Sequence, residues 1–219
     1  MSVPRKSSIT DRSGRPARPA SRFALLLYGL LLTTASSANA QQLCGGVNHY
    51  RWAEKIQASG KSTQVDTVTI AEILDTWAHP DIGKKTGDFC IARDADEGKR
   101  YAVTAWLWRV KHSPDDGDYH LELTDSKTNF TERCLVAEVP EAKWGKGYGS
   151  VRKAFEKIIG GAVAGTKDFA KPIHVRVTGV AFWDGWHAGV DHPSSHGRCN
   201  AAGIGVWELH PVTRVARVK

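Results

Sequence analysis

Carboxylate and imidazole side chains alternate with apolar ones in three segments that have the composition of β-strands. The segments are D-Y-H-L-E-L-T at 118–124, R-C-L-V-A-E-V at 133–139 and V-W-E-L-H-P-V-T at 206–213. Because alternate residues of a strand share a face, each segment would place its acidic and histidine side chains on one side. If these faces converge, they form a polar site that contains Asp118, His120, Glu138, Glu208 and His210, with His187 joining from the end of the preceding strand.

Two other interpretations of these side chains stay open. A half-buried sheet commonly has one solvated face, and the alternating polar residues would then simply be that face. Glu208 and His210 argue against it, because they lie between apolar residues at 207, 209 and 211, where a solvated face more often carries Lys, Thr or Ser. In the other interpretation, His120, His187 and His210 form a three-histidine zinc site with an open position for water.

The elements that would position these groups predict a mainly β, α+β fold. Strands are expected at 101–110, 118–124, 133–139, 173–183 and 206–218, all rich in β-branched and aromatic residues. One helix, 150–159, falls between the third and fourth strands, with Ser150 as N-cap and Gly160 as its stop. The order β-β-β-α-β-β predicts a five-stranded OB-like barrel with an N-terminal extension, and an open α+β sheet is the alternative.

The chain divides into three parts. Residues 1–40 predict a secretory signal peptide, since basic residues precede an apolar run at 23–32 and A-N-A ends at Ala40. Residues 41–99 are an extension in which Thr69 and Glu72 form the capping box of a short helix ending near His79, followed by a loop. Residues 100–219 form the barrel. The apolar run is too short for a spanning helix of about twenty residues, so the mature chain is expected to be secreted or periplasmic with no membrane span.

Charge and cysteine content narrow the class of protein. Residues 1–40 hold six of the 30 lysines and arginines and one of the 23 carboxylates, so the remainder carries 24 against 22. This near balance argues against a broad basic surface for nucleic acid, although a local patch remains compatible with it. Cys44, Cys90, Cys134 and Cys199 would enter an oxidising compartment, which predicts up to two disulfides with three connectivities open.

Aromatic residues offer a different kind of site. Trp186 lies beside Gly185 in the predicted loop between strands four and five, where it would be exposed. OB barrels use such side chains to stack bases or sugars. Trp186 is therefore the candidate for ligand stacking, and a non-catalytic module that binds an oligosaccharide, an oligonucleotide or an envelope protein is the alternative function.

Several motifs resemble those of a poorly characterised family of secreted bacterial OB-like proteins. They are D-G-D-Y-H-L at 116–121, A-E-V-P at 137–140 and W-E-L-H-P-V at 207–212, and the likeness spans about Cys44 to Val215. The resemblance implies export and the extent of the domain. It implies no activity.

The hairpin at 116–141 also resembles the thermonuclease, or staphylococcal nuclease-like, family. The shared pattern is D-G-D before a strand, then an arginine, an acid and P-E. The resemblance implies that Asp118 and Glu138 bind calcium, that Arg133 contacts the phosphate and that Glu141 is the general base. The chain departs from the pattern at Glu138, where the family has Asp, and at His120, which is foreign to it.

These observations predict an exported, metal-dependent phosphodiesterase of nuclease type that acts on nucleic acid. Calcium is the first choice of metal, because hard carboxylate oxygens suit it, and zinc is the alternative.

Overall fold

The computed structural model describes residues 49–58, 63–78, 80, 92–93, 97–131, 133–188, 196, 198–199 and 206–219, all within the compact unit Ala38–Lys219. In chain order, its elements are α1 (Trp52–Lys55), β1 (Val65–Thr67), α2 (Ile70–Thr76), β2 (Arg100–His112), β3 (Tyr119–Thr124), β4 (Leu135–Val139), a 3-10 turn (Ala142–Trp144), α3 (Tyr148–Ile159), β5 (Thr166–Trp183), a second 3-10 turn (Gly185–Ala188) and β6 (Trp207–Arg217). The protein is therefore mainly β, with α3 between β4 and β5, the position that the sequence predicted for its one long helix.

Six strands form one mixed sheet in the order β1-β2-β3-β4-β6-β5. Because β2 also pairs with β5, hydrogen-bonded pairs run in a ring through β2, β3, β4, β6 and β5. The pairing of β4 with β6 is parallel and so is that of β1 with β2, while the other pairs are antiparallel. The five predicted strands all exist. The sequence missed the short β1, and it began β5 seven residues late, at 173 instead of Thr166.

Apolar side chains of the paired strands form the main core. Val103, Leu107, Leu121, Ala137 and Val177 are all fully buried there, together with Phe155 of α3. Burial of this apolar surface is the main favourable contribution to the stability of the fold. It also fixes the strand register, because a slip by one residue would exchange the core face for the polar one.

Of the two helix N-caps that the sequence predicted, one is present and the other is not. Thr69 caps α2 as predicted, its side chain accepting a hydrogen bond of 3.0 Å from the backbone N–H of Glu72. The predicted Ser150 cap is wrong, because α3 already begins at Tyr148. Gly147 precedes that helix with φ 101°, a left-handed conformation that glycine adopts without steric penalty, and Gly160 ends it with φ 85°.

One of the expected disulfides lies within the described residues and joins Cys134 to Cys199 across 65 positions. It ties the segment that carries His196 and Arg198 to the start of β4. Closing a loop of this length contributes about 4 kcal/mol in the chain-entropy treatment. Cys44 and Cys90 lie outside the described residues. None of the described helices is long and apolar enough to cross a membrane.

The polar face of β3, β4 and β6 is not solvated. Asp118, Glu122, Glu208 and His210 are at most 1% exposed. Lys55 near the start of the described chain and Asp184, His196 and Arg198 near its end contact this face and cover it. The sheet thus has a second buried layer, made of charged groups.

Candidate metal centre

Three strand segments bring the predicted acidic residues together. Glu138 lies on β4 opposite His120 of β3, and Glu208 lies on β6 opposite Val136 of β4. Asp118 immediately precedes β3. Because β4 pairs with both β3 and β6, the alternating polar positions of three strands meet above β4. The convergence that the sequence could only assume is a consequence of this strand order.

His210 is the centre of the group. Its Nε2 lies 3.3 Å from Oδ2 of Asp118, and its Nδ1 lies 2.8 Å from Oε2 of Glu138 and 3.2 Å from Oε1 of Glu208. Asp118, Glu138 and His210 each offer one ligand atom, and the three atoms lie within 4.8 Å of one another. That spacing is compatible with three ligands sharing one divalent ion, each at the usual distance of about 2.0–2.6 Å.

Close approach of two strands holds His210 in place. An added Cβ on Gly179 of β5 would lie 2.9 Å from Cβ of Leu209 and 3.1 Å from the carbonyl oxygen of Pro211. The β5–β6 register shifts on both sides of Gly179, and the His210–Pro211 peptide bond is cis. Glycine at 179 therefore permits β6 to pass close to β5 at the position of the histidine.

Lys55 of α1 enters the same group from the N-terminal segment. Its Nζ lies 2.9 Å from Oδ2 of Asp184, 3.3 Å from Oε1 of Glu208 and 3.7 Å from Oε2 of Glu138. Sequence reasoning missed both Lys55 and Asp184. The spacing R-W-x-x-K places Arg51 and Lys55 one helical turn apart, and both are buried, but nothing in the sequence links that turn to residue 184.

A second group adjoins the first. Asp184, His187 and His196 offer ligand atoms that also lie within 4.8 Å of one another. The imidazole rings of His187 and His196 stack with their centroids 4.8 Å apart, and Nε2 of His196 lies 3.3 Å from Oε2 of Glu208. The structure does not group the three histidines of the predicted zinc site, His120, His187 and His210. His187 lies with Asp184 and His196, and His120 contacts Glu138 at 3.1 Å.

Several buried polar atoms of these groups have no hydrogen-bond partner among the described residues. They are Oδ2 of Asp118, Nε2 of His120, Oδ1 of Asp184 and Nε2 of His210. A buried polar atom without a partner is costly, by about 1–3 kcal/mol each. Such atoms in a native structure call for a partner, which can be a water molecule, an ion or a ligand.

Burial and close contacts between charged groups determine which side chains of the site are protonated. Burial alone would lower the pKa of His210, but Asp118, Glu138 and Glu208 raise it well above its ordinary value. Burial would likewise lower the pKa of Lys55, and Asp184, Glu208 and Glu138 raise it strongly. In this metal-free arrangement both side chains therefore carry a positive charge, and they neutralise the carboxylates around them.

The pKa values of the buried carboxylates shift in two directions. Burial would raise the pKa of Glu138 and of Glu208, but the charge of Lys55 and contacts with histidines hold both pKa values below the ordinary range. The pKa of Asp118 is raised by burial, which outweighs its contact with His210. Asp118 is thus the carboxylate least compensated by the protein itself.

The two predicted catalytic residues, Arg133 and Glu141, pair with side chains outside the group. Arg133 forms an ion pair with Asp75, and both side chains are about half exposed, at 46% and 49%. The carboxylate of Glu141 pairs with Lys143, and only the backbone N–H of Glu141 reaches the group, donating to Oδ1 of Asp118 at 2.9 Å. The structure therefore brings Asp118 and Glu138 together, and it pairs Arg133 and Glu141 with other partners.

Trp186 is half-buried, whereas the sequence predicted an exposed ring. It lies 6.3 Å from the ring of Tyr50 and packs against the cluster of Tyr50 and Phe182. The N-terminal segment that carries Tyr50 therefore covers part of the surface that was expected to bind a ligand. Trp186 remains next to His187 in the chain and so lies at the margin of the second group.

No protein-family model matches the sequence, and no curated protein is significantly similar to it.

Proposed function

We propose that this chain binds a divalent metal ion through Asp118, Glu138 and His210 and hydrolyses phosphodiesters, with nucleic acid as the substrate class. One observation carries the proposal: three ligand atoms from separate segments of the chain lie within 4.8 Å of one another in a buried site. Oδ2 of Asp118 and Nε2 of His210 are buried and lie 3.3 Å from each other without forming a hydrogen bond. A cation bound beside them would compensate both atoms.

The donor set bears on the choice of metal. Calcium, the ion that the thermonuclease resemblance implies, takes six to eight oxygen ligands, whereas an imidazole with two carboxylates suits zinc and other first-row ions. His210 in the set therefore favours zinc or manganese over calcium. A divalent ion there would polarise a phosphoryl oxygen and lower the pKa of a bound water.

The residues around the ion would have separate tasks. Lys55 pairs with Glu138, Asp184 and Glu208, so it would hold these carboxylates in place and offset part of their negative charge. His120 and His187 are the least buried of the grouped side chains, at 13% and 20% exposed, and would exchange protons with substrate or solvent. The proposal assigns no catalytic role to Arg133 or Glu141, because other side chains pair with their charged groups.

The architecture we propose for this activity is an OB-like barrel in an exported protein. The ring of pairings through β2, β3, β4, β6 and β5, with α3 between β4 and β5, supports that fold. The disulfide between Cys134 and Cys199 supports an oxidising compartment, as does the signal-peptide pattern of residues 1–40.

The test is hydrolysis of single-stranded DNA, double-stranded DNA, RNA and bis(p-nitrophenyl) phosphate by the purified protein. Each substrate is assayed after removal of metal and after addition of zinc, manganese or calcium. We expect activity only with metal and a loss of at least about a hundredfold in Asp118→Asn and His210→Gln. Arg133→Gln is the matched control and should retain activity. Hydrolysis that persists in chelator, or that both variants retain, would refute the proposal.

A non-catalytic binding module is the second candidate, supported by Trp186 at the margin of the group. It predicts metal-independent binding of an oligonucleotide or an oligosaccharide that Trp186→Ala abolishes and His210→Gln does not. Fluorescence anisotropy with labelled oligomers separates the two candidates. Binding that needs the metal and survives Trp186→Ala would remove the module hypothesis.

A further inference from the structure

We infer that Asp184, His187 and His196 hold a second divalent ion and that Glu208 bridges it to the first. This inference rests on the proposed function for the first ion and extends it to a two-metal centre. The three ligand atoms lie within 4.8 Å of one another, the same limit as in the first group, and no residue belongs to both groups.

Glu208 lies between the groups and turns one oxygen to each. Its Oε1 lies 3.2 Å from Nδ1 of His210, and its Oε2 lies 3.3 Å from Nε2 of His196. Both neighbours are ligand candidates, one from each group. Oε1 also lies 3.3 Å from Nζ of Lys55. In two-metal hydrolases the ions lie about 3.5–4 Å apart, a distance that a carboxylate with one oxygen toward each ion can span.

Asp184 supplies an independent indication. Its Oδ2 accepts a hydrogen bond from Lys55, but its Oδ1 is buried and has no hydrogen-bond partner among the described residues. The side chain as a whole is only 3% exposed. The oxygen without a partner belongs to a candidate ligand, while Oδ2 also lies 3.7 Å from Nε2 of His187.

The balance of charge is compatible with a second ion. With neutral imidazoles, the four buried carboxylates of the two groups carry −4 against the +1 of Lys55, a net charge of −3. One divalent ion reduces the imbalance to −1, and two ions change it to +1. An uncompensated charge in the interior is strongly unfavourable, and a net charge of +1 is smaller in magnitude than one of −3. Two ions can therefore bind without leaving a large uncompensated charge. When no ion is bound, the histidines must be protonated instead.

The segment that supplies His196 is held firmly to the sheet. Cys199 is joined to Cys134 of the strand region, and Arg198 donates to both carboxylate oxygens of Glu122, at 3.2 Å from its backbone nitrogen and 2.6 Å from Nε. These contacts position His196 for metal binding. The donor set of two imidazoles and one carboxylate matches that of catalytic zinc sites with an open fourth position.

Metal stoichiometry tests the inference directly, without an activity assay. The protein is stripped with chelator, dialysed against zinc or manganese and analysed by mass spectrometry of the metal and by calorimetric titration. We expect two ions per chain in the wild type and one ion in both His196→Gln and His210→Gln. His174→Gln, a histidine that stacks on Trp106 instead, is the matched control and should keep two. Thermal melts confirm that each variant is folded.

Any other metal count would overturn the two-ion centre, the first site or both. One ion in the wild type, retained in His196→Gln and lost in His210→Gln, overturns the second site and leaves the proposed function standing. One ion that is lost only in His196→Gln overturns the two-ion centre and moves the metal away from the proposed first site. No ion at all removes both. For the bridge, the two-manganese form should show an exchange-coupled electron paramagnetic resonance spectrum, and an uncoupled spectrum of two bound ions contradicts the role of Glu208.

Discussion

Nζ of Lys55 lies 2.9 Å from Oδ2 of Asp184, and 129 residues separate the two in the chain. Both side chains are about 3% exposed. This contact joins the N-terminal segment to the end of β5, and it places a lysine against carboxylates that also contact His210 and His196. The N-terminal segment is therefore part of the polar group and not merely an extension of the barrel.

Lys55→Met should destabilise the protein by about 3–5 kcal/mol, because removal of one partner of a buried ion pair leaves uncompensated charge. Urea unfolding of the metal-free protein measures this. Lys143→Met is the matched control, since Lys143 pairs with Glu141 at the surface, and its loss should change the free energy of unfolding by less than about 1 kcal/mol. Equal effects of the two substitutions would contradict the buried network.

Stability of the metal-free protein should fall as the pH rises above neutrality. The pKa values of His196 and His210 are raised in the folded state, so their stabilisation is complete below the unfolded value of about 6.5 and is lost as the pH passes through the folded values. The pKa values of Glu138, Asp184 and Glu208 are lowered, so their stabilisation is present above about pH 4.5 and is lost in acid.

Burial lowers the pKa values of His49 and His187, so their contribution to stability is lost as the pH falls below about 6.5. The melting temperature in chelator should therefore be highest near pH 6.5. Thermal melts from pH 4 to 9 measure it. Added zinc should raise the melting temperature most at the alkaline end, where protons no longer compete for the histidines. A melting temperature in chelator that increases steadily from pH 6 to 8 would contradict the protonation of His210 and His196.

Loss of the disulfide should lower stability and loosen the second group together. Cys134→Ala combined with Cys199→Ala is expected to cost about 2–5 kcal/mol in the free energy of unfolding. Because the bond holds the segment of His196, zinc affinity at the second group should fall while that of the first group is kept. Urea unfolding and zinc titration of the double variant check both effects. Unchanged affinity for two ions would show that the bond does not position His196.

Gly179→Ala should disturb the first group through the backbone. The new methyl group would lie 2.9 Å from Cβ of Leu209, so β6 must shift beside His210. We expect a loss of about 1–3 kcal/mol in stability, as for other overpacked sites, and weaker metal binding. Gly149→Ala is the matched control. Its Cβ would lie at an ordinary 3.4 Å from the Cβ of Ala142, and alanine favours the helix, so the substitution should be neutral or stabilising. Identical affinities in both variants would contradict the role of the β5–β6 approach.

Much of the fold can be predicted from local patterns in the sequence. The period of two in residues 118–124 and 206–210, the turn residues between strands, and the helix predicted at 150–159 are properties of short segments. They predicted five of the six described strands and that Asp118, His120, Glu138, Glu208 and His210 share faces. The capping of α2 by Thr69 is likewise a contact over three residues and was predicted correctly.

Only the tertiary structure decided what covers those faces and which charges meet. Lys55 and Asp184 carry no local signal of their partnership, because an ion pair across 129 residues depends on how the N-terminal segment packs against the end of β5. The same holds for His196, which reaches Glu208 from a segment tied down by Cys199. Periodicity determines the side of a strand on which a residue lies, but burial and charge pairing depend on the other segments that pack there. For this reason the sequence left a solvated face and a metal site as alternative descriptions of the same residues, and only the packing of two distant segments shows that the face is buried.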